Sequence, residues 1–203
     1  MLAREIFRAL ADGGVHSGEA LAETAGVTRS AVWKAIEHLR EMGLEIEAQT
    51  NRGYRLVAPC EALDPQRIHE SMSTSYGHST AIDVAWEIDS TNAALLASAP
   101  PPPGRFAVLL AENQTGGRGR RGRAWQSALG SSLCLSIATS FEPLPRDLPA
   151  LTLVVGVCVR EALKQGGARD LALKWPNDIV TSNMGKIGGI LVELRAEAGG
   201  PGH

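Results

Sequence analysis

The stretch TRSAVWKAIEHLREMGLEIEAQTNRGYRLV, residues 28–57, decides the architecture of the N-terminal part of the chain. Thr28 can cap a helix, because its hydroxyl can accept one of the N–H groups left free in a first helical turn. Val32, Ile36 and Leu39 then recur at helical spacing, and Gly43 stands where that helix should stop. Leu44 and Ile46, a polar turn at Thr50-Asn51-Arg52-Gly53, and then Tyr54, Leu56 and Val57 read as a short β-hairpin. Upstream, Ser17 can cap a helix carrying Ala20, Leu21 and Ala25, with Glu19 in its first turn and Gly26 at its end. Leu2, Ile6, Ala9 and Leu10 mark a first helix that Gly13-Gly14 stops. Two helices joined through a glycine-bearing turn of about three residues form the helix-turn-helix pattern, and the hairpin behind it makes residues 1–57 a winged helix.

A linker is expected at 58–63, opening with Ala58-Pro59-Cys60-Glu61. Asp64-Pro65 starts a helix to about Met72, since proline suits a first helical turn. The pattern then predicts a strand over Val84–Ile88, a short helix from Asp89-Ser90 ending before Pro100, a loop at Pro100–Pro103, and strands over Phe106–Ala111 and Leu133–Ala138. Leu151–Leu163 is too long for a typical strand and is assigned as a buried helix. Short strands follow near 171–174 and 178–181, and a longer one near 187–194. Residues 64–203 thus mix helices with a sheet, and the whole chain is of the α+β class.

Composition narrows the function. The 203 residues are 44% hydrophobic, 21% charged and 4% aromatic, with a formal net charge of -2, which argues against a general polyanion binder. Any nucleic-acid contact must come from local clusters. Cys60, Cys134 and Cys158 have no metal-ligand spacing and are expected to be reduced, buried thiols, so no metal site is expected. The opening MLAREIF is charged too early for a signal peptide, and no apolar run reaches the roughly 18 residues of a membrane span. The expected location is cytoplasmic, with no membrane partner.

Four motifs carry candidate chemistry. Gly116–Arg123, GGRGRRGR, places four arginines within six residues and no acid among them. Glycines let such a loop close on a ligand with free N–H donors, and arginine makes forked contacts with phosphate. A solvated basic loop or an arginine–glycine RNA tract reads equally well from this stretch alone. Lys174-Trp175-Pro176-Asn177-Asp178 sits where two short strands meet, as a site or as an ordinary turn. Lys186-Ile187-Gly188-Gly189-Ile190-Leu191-Val192-Glu193 opens a strand on bare backbone, for a ligand or for a bulge. Asp89-Ser90-Thr91-Asn92 is a site or a plain helix cap.

In this order, with Glu112-Asn113-Gln114 before the arginine loop and Trp125 after it, the motifs resemble those of the bifunctional biotin protein ligase and biotin operon repressor family, one branch of which carries an N-terminal winged helix. The resemblance implies a mixed-sheet biotin/lipoate-ligase-type catalytic domain over 64–203. It implies that biotin and ATP form biotinyl-5'-AMP, with Mg2+, and that biotin passes to a lysine of a biotin carboxyl carrier protein. It also implies repression of biotin synthesis through operator DNA, and homodimer formation. By motif matching, Ser90, Thr91, Asn92 and Gln114 would meet the ureido head of biotin, and Gly117 and Arg118 would border its tail. Arg120, Lys186, Gly188 and Gly189 would complete the biotin site. Arg118, Arg120, Arg121, Arg123, Trp125 and Asn177 would serve the nucleotide. Arg120, Lys186 and Asp178 would be the catalytic groups, with Lys186 on the carboxylate or phosphate oxygens and Asp178 orienting the incoming lysine.

On the DNA side, Arg29, Ser30, Lys34 and His38 lie off the apolar stripe of the third helix, and Arg52 lies on the wing. Residues 1–57 hold about as many acids as bases, so affinity should be modest and helped by dimerisation. Trp33, at the edge of the stripe, is expected to be packed. Against the family's pattern the chain stops at Pro201-Gly202-His203, soon after the KIGGILVE strand, so the catalytic domain is expected to be incomplete, lacking part of the adenine site and dimer edge. The rival readings are a DNA-binding regulator that senses biotinyl adenylate without making it, an inactive fragment, and a winged helix that docks protein. Lipoate ligases share the catalytic fold, but their motifs differ from GRGRRGR and KWPND.

Overall fold

The computed structural model describes residues 1–58, 60–72 and 80–195; Pro59 of the expected linker and the terminal Pro201-Gly202-His203 lie outside them. Contacts divide the chain into two compact units: Met1–Gly117 with Gln126–Ser140, and Arg118–Trp125 with the chain from Phe141 onward.

The first unit begins with α1 (Leu2–Leu10), α2 (Gly18–Ala25) and α3 (Arg29–Glu41), followed by β1 (Ile46–Gln49) and β2 (Gly53–Leu56) in antiparallel register. The caps form as their chemistry requires. Ser17 Oγ accepts the Ala20 N–H at 3.0 Å and Thr28 Oγ1 accepts the Ala31 N–H at 3.3 Å, while Gly26 ends α2 in the left-handed region. Ile6, Phe7, Leu10, Leu21, Val32, Ile36 and Leu39 form the core with Leu44, Ile46 and Leu56. Each such side chain contributes about 1.5–3 kcal/mol when fully buried. His16 and Tyr54 exchange backbone hydrogen bonds of 2.9 and 2.8 Å, which fastens the segment before α2 to the wing. Trp33 is not packed as expected: it is 54% exposed, because the three core-facing positions Val32, Ala35 and Ile36 turn it outward.

The same unit holds α4 (Pro65–Ser71), capped by Asp64, and a sheet in which β3 (Thr80–Ile88) runs parallel to β4 (Phe106–Gln114) and β4 antiparallel to β5 (Cys134–Thr139). Between β3 and β4, α5 (Thr91–Ala97) is capped by Ser90 and lies on β4 and β5. Among the described residues outside 1–57, Cys60, Ala62, Trp86 and Leu129 reach the winged-helix core. Leu129 is fully buried within it, and Trp86 packs against it with its ring centroid 5.4 Å from that of Phe7.

Glu112 on β4 is buried, and its Oε1 accepts the Leu63 N–H at 2.6 Å. Burial pushes its carboxyl above the ordinary glutamate range, outweighing the Leu63 bond and the positive charges of Arg8 and Arg4. The unfolded chain therefore loses this proton first. The stability that Glu112 contributes is present below the ordinary glutamate range and is lost as pH rises through the raised one. Glu112→Gln keeps the acceptor and removes the charge. It should be more stable than the parent at pH 7, by a margin that vanishes near pH 4, in urea unfolding at both pH values. A variant less stable than the parent at pH 7 would contradict this account.

The second unit contains α6 (Leu151–Gln165) and an antiparallel meander of β6 (Leu171–Lys174), β7 (Asp178–Thr181) and β8 (Lys186–Gly189). α6 is a helix, but not a buried one. Only Gly156 is enclosed, near Leu173 and Ile190, whereas Leu153, Val154 and Val157 are exposed. An apolar run shows that cover is wanted, and the described residues cover only the side facing β6. Cys158 is exposed on the same helix, Cys134 is buried and Cys60 half-buried, so the expectation of three buried thiols holds for Cys134 alone. The longer strand expected near 187–194 stops at Gly189. Among the described residues β8 has one neighbour, with a register irregularity at Ile179/Val180, and beyond it the Ile190 N–H turns to the Asn177 carbonyl.

Candidate functional site

In the first unit the motif at 89–92 is both a cap and a polar cluster. Ser90 Oγ accepts the Ala93 N–H at 3.3 Å, and Asp89 Oδ1 accepts the Ser90 N–H at 2.7 Å. Ser90 and Thr91 are buried. Gln114, at the end of β4, accepts from Thr91 twice: from the N–H at 2.8 Å and from the hydroxyl at 3.0 Å. The Thr91 hydroxyl also lies 2.8 Å from Ser136 Oγ on β5. Thr91 and Gln114, far apart in sequence, are thus brought into contact and held in fixed rotamers. Asn92, the second helical residue of α5, also makes a polar contact. Ser136 escaped the sequence reading; its only signal is a hydroxyl in the apolar strand CLSIAT. Gly116 N–H donates to the Asp89 carbonyl at 2.8 Å, which ties the start of the glycine–arginine loop to the DSTN turn, and Gly117 is buried beside it.

In the second unit the arginine loop is a hairpin-like turn. Arg118 bridges Ala124, the Gly119 N–H donates to the Arg123 carbonyl at 2.7 Å, and Arg120–Gly122 forms one 3-10 turn. Arg121 takes a positive φ of 59°, an uncommon conformation for a side-chain-bearing residue. Arg118, Arg120, Arg121 and Arg123 are exposed, and among the described residues none of them pairs with a carboxylate. Arg120 reaches Asn177 Oδ1 at 3.5 Å, the long limit of a hydrogen bond.

Asn177 is fixed by its neighbour: its Nδ2 donates to the Ile190 carbonyl at 2.9 Å while its own carbonyl accepts the Ile190 N–H at 2.9 Å. One residue on, Asp178 Oδ1 accepts from Lys186 Nζ at 2.7 Å across the β7–β8 pair. The same ammonium stands 5.1 Å from the centroid of the Trp125 ring, in cation–π range. Both side chains pass close over Gly189: a Cβ there would lie 3.4 Å from Trp125 and 3.5 Å from Lys186 Nζ, at ordinary contact distance. At Gly188 a Cβ would meet Ile179 instead, at 3.5 Å or more. The bulge anticipated for KIGG is present as well, in the β7–β8 register. Lys174 is exposed and Trp175 is 80% exposed at the β6–β7 turn.

This unit therefore gathers a cationic loop, a lysine–carboxylate pair and an aromatic plane. Such a set neutralises and positions anionic oxygens, and it includes no activated nucleophile. On the winged helix, Arg29, Ser30, Lys34, His38 and Arg52 are all exposed. Glu37 pairs with Arg40 at 2.6 Å, and Glu41 lies 3.7 Å from His38, a pair only when the imidazole is protonated.

Comparison with known proteins bears on both parts. Residues 3–55 match the model of an HTH domain. The chain is 40% identical over 190 residues to the bifunctional ligase/repressor BirA of Salmonella typhimurium, covering 94% of this chain and 57% of that protein. It is 36% identical over 183 residues to BirA of Bacillus subtilis, covering 89% and 55%. The chain thus spans little more than half the length of these relatives. A Helicobacter pylori biotin acetyl coenzyme A carboxylase synthetase structure with bound biotinylated ATP aligns at 33% identity and a TM-score of 0.48, covering 57% of this chain and 56% of that one. Residues 85–201, a span that takes in DSTN, the arginine loop, KWPND and KIGG, match the model of the biotin/lipoate A/B protein ligase family. Since that span is more than half of the chain, this protein belongs to the biotin/lipoate A/B protein ligase family.

Proposed function

We propose that this chain carries the DNA-binding part and much of the ligase part of a bifunctional biotin protein ligase and repressor. The observation that carries the reading is the gathering, in one unit, of the arginine loop with Asn177, and of Lys186 with Asp178 and Trp125. The reaction joins the biotin carboxylate to the α-phosphate of ATP with release of pyrophosphate. A carrier lysine then displaces AMP. Lys186 holds carboxylate or phosphate oxygens; Arg118, Arg120, Arg121 and Arg123 close over the adenylate beside Trp125 and Asn177; Asp178 orients the incoming amine. Ser90, Thr91, Asn92 and Gln114 recognise the ureido head, Gly117 and Arg118 border the biotin tail, and Gly188 and Gly189 belong to the biotin site. Among the described residues no group of three or more His, Cys, Asp or Glu could hold a metal, so Mg2+ would arrive on the ATP phosphates. Domain limits of 1–57, 58–63 and 64–203, homodimer formation and a cytoplasmic location belong to the same reading. No helix among the described residues is long and apolar enough to cross a membrane.

The test is incubation with biotin, α-labelled ATP and a carrier domain, scoring adenylate and biotinylated carrier separately. Adenylate and carrier labelling support the ligase reading. Binding of supplied biotinyl adenylate without its synthesis supports the sensor. The loop gives a second readout. Its four positive charges, unpaired among the described residues, should be stabilised by the adenylate anion, so proteolysis within 116–123 should be suppressed by biotin and ATP. In an otherwise active chain, Arg120→Gly should release adenylate before transfer. Unchanged cleavage together with full retention by the variant would remove the lid role.

On the DNA side, Arg29→Ala with Lys34→Ala should weaken operator binding and flatten the log–log salt dependence by about one unit for each lost phosphate contact, with biotin binding unchanged. Unchanged operator affinity in both variants would favour a protein-docking winged helix.

A further inference from the structure

Trp33 is the one large apolar side chain on the outer face of α3, 54% exposed where its neighbours Val32 and Ile36 are fully buried. It stands one turn beyond Arg29 and three residues beyond Ser30, so the three share a face, with Lys34 alongside. Arg29 and Lys34 have no carboxylate partner among the described residues, whereas Glu37 is engaged with Arg40 and Glu41 lies at the far end of the helix beside His38. The exposed tryptophan thus sits in the cationic, N-terminal half of the second helix of a helix-turn-helix, the half that enters a major groove.

We propose that Trp33 reads a thymine in the major groove of a DNA duplex. This rests on the DNA-binding reading above and adds a base and the residue that selects it. The argument is one of matching groups. Indole offers a broad apolar face and a single N–H donor, and no acceptor. It therefore has nothing to offer the amino donors of adenine and cytosine. Thymine alone presents a methyl group beside an acceptor, O4, on its major-groove edge. The flanking Arg29 and Lys34 suit the phosphates on either side and carry no base preference of their own in that role. A protein partner would have to accept two unpaired cations around the ring, so the charge favours the polyanion.

The probe is a random-sequence duplex pool, selected with the intact chain at low salt. Each thymine of the enriched site is then replaced in turn by uracil, which removes only the methyl group. For the parent, one position in each half-site should lose about fourfold in affinity, the worth of one buried methyl. Trp33→Ala should bind the enriched site roughly tenfold more weakly, as for one misread base pair, and should bind thymine and uracil forms alike at that position. Its salt slope and helix content should match the parent's. If alanine lowers the helix content, Trp33→Gln, which removes the ring and favours helix, gives the deciding comparison. A ringless variant that still distinguishes thymine from uracil, or a parent that never does, overturns the inference while leaving DNA binding intact. A parent that enriches no duplex sinks the DNA-binding reading and this inference with it.

Discussion

Gly53→Ala should destabilise the winged helix by about 3–5 kcal/mol. Gly53 has a φ of +130°, and a Cβ there would lie 2.0 Å from the His16 carbonyl oxygen and 2.7 Å from the Ser17 Cα. Both are backbone atoms, so no side chain can swing away. Relief requires parting His16 from Tyr54, which forfeits two hydrogen bonds, and returning φ to a region open to alanine. Gly26→Ala is the control. Its φ of +65° carries strain, but nothing lies within 4 Å of the new Cβ, so the expected cost is only about 1–2 kcal/mol. Denaturant unfolding of both variants, followed by far-UV helix signal, should separate them clearly. Equal costs would mean that the wing yields more easily than its bridge implies.

Under the proposed ligase reading, Lys186→Ala should slow adenylate formation by about 10²–10³-fold, the loss typical of removing one positioned donor from an anion-stabilising site. The pair with Asp178 makes a second variant informative. Asp178→Asn leaves the ammonium over Trp125, so it should slow adenylation little and carrier labelling more. Pyrophosphate release reports the first step, and transfer of preformed adenylate to the carrier reports the second. If the two substitutions lowered both steps equally, the pair would be a strut of the β7–β8 sheet and nothing more.

What could be read from the sequence was whatever local chemistry decides. Ser17, Thr28 and Asp64 cap helices because a side-chain oxygen two or three residues from a free N–H will take it in almost any surroundings. The strands at 171–174 and 178–181 were legible because KWPND breaks the chain between them. The contact of Thr91 with Gln114 was foreshadowed only by the order of motifs, since periodicity says nothing about which strand end meets which helix start. What stayed hidden depends on distant neighbours. The exposure of α6 and Trp33 depends on what lies across from each face, the short β8 on its having a single partner strand among the described residues, and the role of Ser136 on the proximity of Thr91. Glu112 was quoted within a motif, but its burial and its bond to Leu63 could not be seen from an acid in an apolar strand.

Leu129 bears on how the DNA-binding part could be moved between proteins. This side chain, fully buried in the core of the winged helix, follows the wing by more than seventy residues. A graft cut at residue 57 would leave a leucine-sized hole and an uncovered Phe7, a defect of the kind that costs about 2–5 kcal/mol in other cores. The transplantable piece is therefore discontinuous: a donor must bring residues 126–131 and a cover for Phe7, or the recipient must supply substitutes. Recombination at the apparent linker would be selected against wherever the new neighbour lacks them.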